Sequence, residues 1–124
     1  MPTALLVDDS KTILMSLTHT LTSAGYKVHT ALDGEEALQK ITTGAVKPTV
    51  IITDLNMPRM DGLTFIKAAR KSPGVRFTPI LMLTTESQQT KRAEARAAGA
   101  TGWLVKPIVA ADLLRVLDQV IPKG

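Results

Sequence analysis

Asp8 and Asp9 close the apolar run Ala4-Leu5-Leu6-Val7, and Asp54 closes Val50-Ile51-Ile52-Thr53. Thr84 follows Ile80-Leu81-Met82-Leu83, and Lys106 follows Gly102-Trp103-Leu104-Val105. Open α/β sheets bind their ligands outside the carboxyl ends of the strands, so these side chains are expected to converge on one rim. Three carboxylates held close together repel, and a divalent cation bound through oxygen is their natural neutraliser. A hydroxyl and an ammonium beside them suit an incoming anion such as a phosphoryl group. Each residue alone has a plainer role. Asp8 or Asp9 would serve as an acid at a helix N-terminus, Asp54 as a turn residue ahead of Met57-Pro58, Thr84 as a strand end and Lys106 as a solvated lysine. Their joint occurrence at successive strand ends is what argues for a site.

The elements that would position them follow from the hydropathy pattern. Segments at about 3–7, 27–31, 49–53, 79–83 and 102–105 are rich in Val, Ile and Leu. They alternate with helix-like stretches at about 10–24, 35–43, 63–71, 88–98 and 110–120. Such alternation predicts a parallel sheet covered on both faces, and right-handed crossovers make it a three-layer α/β/α sandwich. Ser10 and Asp61 are expected to cap the first and third helices. Gly25 and Gly99 are expected to end the first and fourth, and Asp33-Gly34 to lead into the second. The 124 residues suit one domain, 1–124, with one core.

Composition narrows the chemistry. The chain has no cysteine, which excludes disulfides, thiolate metal sites and cysteine nucleophiles. No signal peptide is evident and no apolar run approaches the roughly 20 residues of a membrane span, so a soluble cytoplasmic protein is expected. The net charge is +4, yet the basic residues are spread out. The densest groups, Lys67, Arg70, Lys71 and Arg76, then Lys91, Arg92 and Arg96, read as solvated helix faces. Aromatic content of 3% is too low for a base-stacking platform, so no nucleic-acid partner is expected. His19 and His29 are isolated, without a spaced metal-ligand companion. No GxxxxGK phosphate loop occurs.

The strings Leu6-Val7-Asp8-Asp9-Ser10, Thr53-Asp54-Leu55-Asn56-Met57-Pro58-Arg59-Met60-Asp61-Gly62, Leu83-Thr84-Thr85-Glu86 and Trp103-Leu104-Val105-Lys106-Pro107 resemble response-regulator receiver domains. The resemblance spans essentially the whole chain, in order and spacing, and is nearest to the single-domain chemotaxis regulators of the CheY type. It implies a five-stranded parallel sheet in the flavodoxin-like order 2-1-3-4-5. It implies Asp54 as phosphoacceptor, forming an acyl phosphate. Mg²⁺ would be held by Asp9, Asp54 and the backbone carbonyl of Asn56, with Asp8 acting through water. Lys106 would pair with the phosphoryl oxygens and Thr84 would hydrogen-bond to one, with backbone N–H groups near Asn56 and Thr85 as further donors. The Lys106-Pro107 bond resembles the family's cis peptide. Thr84 and Trp103 would form the switch pair, Trp standing where the family usually has Tyr or Phe. Asn56 and Glu86 match positions that tune acyl-phosphate lifetime.

Two surfaces carry more apolar side chains than a simple amphipathic stripe requires. On the first helix Ile13, Leu17 and Leu21 follow the core spacing, Met15 points roughly opposite and Leu14 lies at the margin. Leu14 and Met15 either are isolated surface hydrophobes or resemble a docking patch for a histidine kinase or histidine phosphotransfer domain, the chemotaxis kinase above all. On the last helix Val109, Leu113, Leu114, Val116, Leu117, Val120 and Ile121 cover more than one face. With Trp103 and the fourth helix they form either an output surface or extra core coverage. No output domain follows Gly124, so signalling by protein contact is expected, from a monomer, with the flagellar motor switch as target. The alternative is a phosphate sink or phosphorelay intermediate. A Mg²⁺-dependent phosphohydrolase for free substrates fits less well, since no substrate-binding insertion appears.

Overall fold

The computed structural model describes residues 2–57, 60–85 and 89–121, without the side chains of 89–91. Five strands, β1 Thr3–Val7, β2 Lys27–Ala31, β3 Val50–Asp54, β4 Ile80–Thr84 and β5 Gly102–Val105, form one sheet in the order β2-β1-β3-β4-β5. Every pairing is parallel. The helices α1 Lys11–Ser23, α2 Gly34–Thr42, α3 Gly62–Arg70, α4 Gln89–Ala98 and α5 Ala110–Val120 connect them. The expected three-layer sandwich and sheet order are therefore observed. Strands β3 and β4 run one residue further than expected. Asp54 and Thr84 are the last rungs of the ladder, opposite Leu83 and Val105 respectively.

Burial explains the composition of the strands. In β3 and β4 every residue is buried, as a parallel sheet covered on both faces requires. Successive side chains point to opposite faces. Leu5, Val7, Ile51, Ile80 and Met82 pack with Phe65, Ile66 and Ala95 under α2, α3 and α4. Ala4, Leu6, Ile52, Leu81 and Leu83 pack with Leu14, Leu17, Leu21, Leu113 and Leu117 under α1 and α5. Leu14 is 7% exposed and Met15 73%, while Ile13 is half-buried. The inward stripe of α1 is thus 14, 17 and 21, and the expected roles of Ile13 and Leu14 are exchanged. On α5, Leu113 and Leu117 are fully buried, and Leu114, Val116, Val120 and Ile121 lie against the core. Val109 is 57% exposed. Most of that apolar helix is core coverage.

Local signals set the helix ends. The Ser10 hydroxyl accepts the Ile13 N–H at 3.3 Å, Asp33 accepts that of Glu36 at 2.8 Å and Asp61 that of Thr64 at 2.8 Å. Gly25 and Gly99 follow α1 and α4 with φ of 94° and 114°, a region that only glycine enters without strain. A short 3₁₀ turn, Pro73–Val75, was not expected between α3 and β4.

Arg70 departs from the expectation of a solvated helix face. Its guanidinium donates to the carbonyls of Gly99 at 2.8 Å, Val75 at 3.1 Å, Arg76 at 3.1 Å and Thr78 at 2.6 Å. One fork thereby ties the end of α3 to the loops before β4 and β5. Arg70→Met is expected to lower stability by about 3 kcal/mol, because several carbonyls lose a charged donor together. Urea unfolding midpoints test this. Arg70→Lys should recover only part of the loss, since an ammonium does not span the fork.

Candidate functional site

The parallel sheet brings all the strand-end groups to one rim. Asp8 and Asp54 are buried, at 2% and 6% exposure, whereas Asp9 is exposed. One carboxylate oxygen from each of Asp8, Asp9 and Asp54 lies within 4.8 Å of the others. Lys106 Nζ bridges the two buried acids, 3.1 Å from Asp54 Oδ1 and 3.3 Å from Asp8 Oδ2. Backbone donors complete the arrangement. The Leu55 N–H reaches Asp54 Oδ1 at 2.9 Å, and the Ser10 N–H reaches Asp8 Oδ1 at 2.9 Å.

Asp54 carries the electrostatic cost of this crowding. Burial, and then the neighbouring Asp8 charge, raise its pKa above the ordinary 3.8, against the pull of Lys106 and the Leu55 N–H. For Lys106, burial pulls the pKa down, but Asp54 and Asp8 more than offset it and leave it above 10.5. The rim therefore holds more negative charge than Lys106 alone balances. Three clustered carboxylates, one of them reaching solvent, are a hard oxygen donor set that fits Mg²⁺ with retained waters.

Thr84 is fully buried at the end of β4, and its carbonyl accepts the Lys106 N–H at 2.7 Å. The Lys106-Pro107 peptide is cis, as expected. Asn56 is exposed two residues beyond Asp54. Glu86 lies outside the described residues. Trp103 is half-buried on β5 against the core, with the Arg92 guanidinium 5.9 Å from its ring centroid. Its indole N–H is buried and has no acceptor among the described residues. His19 is exposed on α1 and His29 half-buried on the edge strand, apart from the acidic rim. A groove of about 470 Å³ beside the rim is lined by Ile13, Leu17, Thr85, Lys106, Pro107 and Ile108. Ile13 and Ile108, rather than the buried Leu14, are the apolar side chains beside the acids.

Gly62, in the stretch that follows Asp54, belongs to the site through its backbone. A Cβ there would lie 2.3 Å from the Asp54 carbonyl oxygen and 3.0 Å from the Leu55 Cα. The start of α3 thus presses directly on the backbone that carries Asp54, and the Gly62 N–H donates to the Leu55 carbonyl at 2.8 Å. Gly62→Ala is expected to cost about 2 kcal/mol and to displace Asp54 from its place on the rim. Gly74→Ala, where nothing lies within 4 Å, is the matched control for both readings and should change little.

A five-stranded parallel sheet in this order, with acids at its carboxyl rim, is the flavodoxin-like CheY fold. The chain belongs to the response regulator receiver domain family, whose model matches residues 4–118. It is similar to the chemotaxis protein CheY4 of Vibrio cholerae, with 51% identity, a TM-score of 0.91 and coverage of 97% of this chain and 98% of that one. It also resembles the receiver domain of the sensor histidine kinase PA1611 of Pseudomonas aeruginosa. That structure, 29% identical with a TM-score of 0.88 over 97% of each chain, has a magnesium ion coordinated in the active-site cleft. Among curated proteins it is 38% identical to the transcriptional regulatory protein PrrA of Mycobacterium tuberculosis over 91% of this chain and 47% of the relative. The chain thus spans about half the length of the curated relatives it matches. Among the described residues no helix is long and apolar enough to cross a membrane.

Proposed function

We propose that Asp54 is the phosphoacceptor of a two-component relay and that its phosphorylation switches partner binding. The observation that carries this reading is the Lys106 bridge between two buried carboxylates in a cluster of three. The Asp54 oxygen forms a bond to phosphorus as the bond from phosphorus to a donor imidazole nitrogen breaks, the electron pair leaving with nitrogen. Lys106 would pair with the phosphoryl oxygens, and the Thr84 hydroxyl would hydrogen-bond to one of them. Asp9, Asp54 and the Asn56 carbonyl would hold Mg²⁺, with Asp8 acting through water. When bound, the ion would neutralise charge on the transferring group. Asn56 and Glu86 would set how readily water reaches the acyl phosphate. The phosphodonor is a histidine kinase or phosphotransfer domain, docking beside the acids at the Ile13–Ile108 groove and the exposed Met15.

The likeness to CheY4 supports a chemotaxis role, with the chemotaxis kinase as donor and the flagellar motor switch as target. A phosphate sink uses the same residues, and phosphoryl lifetime separates the two. The test is intact mass after exposure to Mg²⁺ and acetyl phosphate, followed over time once the donor is removed. One added phosphoryl group, absent in Asp54→Asn, is expected; label on the variant, or none on the folded wild type, would remove the assignment. Slow decay together with a phosphorylation-dependent partner favours the switch.

Trp103 provides a direct readout, since it is the chain's one tryptophan. Beryllofluoride with Mg²⁺ is expected to shift its emission to shorter wavelength as the ring moves inward beside Thr84. Thr84→Ala should blunt the shift. Unchanged emission with beryllofluoride bound would exclude Trp103 from the switch.

A further inference from the structure

The end of the molecule opposite the acidic rim has its own chemistry. Asp8, Asp9, Asp33, Asp54 and Asp61 all stand at the carboxyl ends of the strands. No acid occurs between Glu36 and Asp54, or between Asp61 and Glu86. Those two stretches include the far ends of α2 and α3 and the loops that follow, where Lys47, Lys71 and Arg76 are exposed. Asp118 lies near the end of α5, on the other face of the sheet. Basic residues in a helix's last turn answer its dipole, but Lys47 and Arg76 are loop residues outside any helix.

Phe77 stands in this basic surround at 91% exposure. The turn that carries it is closed by the Thr78 N–H to the Val75 carbonyl at 3.2 Å. Arg70 also holds the carbonyls of Val75, Arg76 and Thr78. A half-buried cation therefore fixes the shape of the turn while its aromatic ring stays in solvent, so little order has to be created when a partner covers it. Beside the turn, between the end of α2 and the 3₁₀ turn, lies a cavity of about 290 Å³ lined by the apolar Ile41, Val46 and Val75 together with Thr42, Thr43 and Lys47. An aromatic knob, a hole with an apolar floor and a polar rim, and exposed cations of one sign therefore share this pole.

We propose that this pole is a docking surface for an acidic segment of a partner protein. Its carboxylates would meet Lys47, Lys71 and Arg76, and an aliphatic side chain would fill the cavity while its backbone covers Phe77. The hole favours a peptide over a bilayer, because a lipid surface has no side chain to seat in a cavity. A second copy of this chain would set like charges against each other if it met this pole with its own. The pole lies at the opposite end of the strands from Asp54, so a partner held here leaves the acidic rim open. Docking at the pole is accordingly independent of the state of Asp54 and does not rest on the phosphoacceptor assignment.

The experiment titrates the ¹⁵N-labelled full chain with a short peptide alternating glutamate and leucine. A lysine–leucine peptide and phosphatidylserine vesicles serve as parallel probes. Saturable shifts at residues 41–47 and 70–78 are expected, weakening with salt. Lys47→Glu combined with Arg76→Glu, and separately Phe77→Ser, should each weaken binding about tenfold while leaving the remaining spectrum intact. Beryllofluoride should leave the affinity unchanged. Absence of saturable shifts at this pole, equal binding of the lysine peptide, or capture by vesicles alone would overturn the proposal.

Discussion

Asp54→Asn is expected to abolish phosphoryl uptake and, without Mg²⁺, to make the protein more stable. The loss follows if Asp54 is the nucleophile, as proposed. The gain follows from the charge that Asp54 holds in a buried place beside Asp8. Its folded pKa lies above the ordinary 3.8, so the folded state binds the proton more tightly than the unfolded chain does. The stability from that proton is fully present below the unfolded pKa and is lost as pH rises through the folded one. The asparagine variant does not undergo this loss. Its advantage should be small near pH 4 and grow to a plateau at neutral pH, at about 0.5–2 kcal/mol, the range in which functional sites trade stability for activity. Urea titrations in EDTA at a series of pH values measure it. Mg²⁺ should narrow the gap by stabilising the wild type through mass action. A variant less stable than wild type at neutral pH would show that Asp54 contributes more through Lys106 and the Leu55 N–H than it costs.

The acidic rim was legible because each member ends a hydrophobic strand, and a parallel sheet carries strand ends to one edge whatever the loops do. Where the ladder stops was less legible. Asp54 and Thr84 look like loop residues by type, yet their strands still pair at those rungs. The phase of α1 is not encoded to within one residue, since Ile13 and Leu14 are both apolar and only packing against β1 and α5 decides which turns inward. Arg70 and Gly62 were not legible as structural keys. An arginine in a last helical turn reads as part of a solvated helix face, and its actual acceptors include the carbonyl of Gly99, 29 residues away. A glycine at a helix start reads as permissive, and only the tertiary approach to Asp54 shows that nothing larger fits. The exposure of Phe77 likewise depends on a turn set by Arg70, which hydropathy does not encode.

Lys106→Ala should reduce phosphoryl uptake about 10²-fold, the usual cost of losing one preorganised donor to developing negative charge. It should also destabilise the Mg²⁺-free protein at neutral pH. Lys106 is 17% exposed as a side chain, and its partners Asp8 and Asp54 are 3% and 9% exposed, so little solvent screens the contact. Removing the ammonium strands two buried carboxylates, at a cost of about 3 kcal/mol that protonation of Asp54 at lower pH should relieve. With its pKa held above 10.5, Lys106 is fully charged at neutral pH and its contribution is lost only as pH rises through that higher value. The double variant Lys106→Ala with Asp54→Asn separates charge from packing. If the bridge acts through charge, the asparagine rescues much of the alanine's loss, and the cycle shows a coupling of about 1–3 kcal/mol. If Lys106 mattered only as a packed stem along the β5 rim, the two effects would add, and phosphoryl uptake by the single alanine variant would stay near wild type.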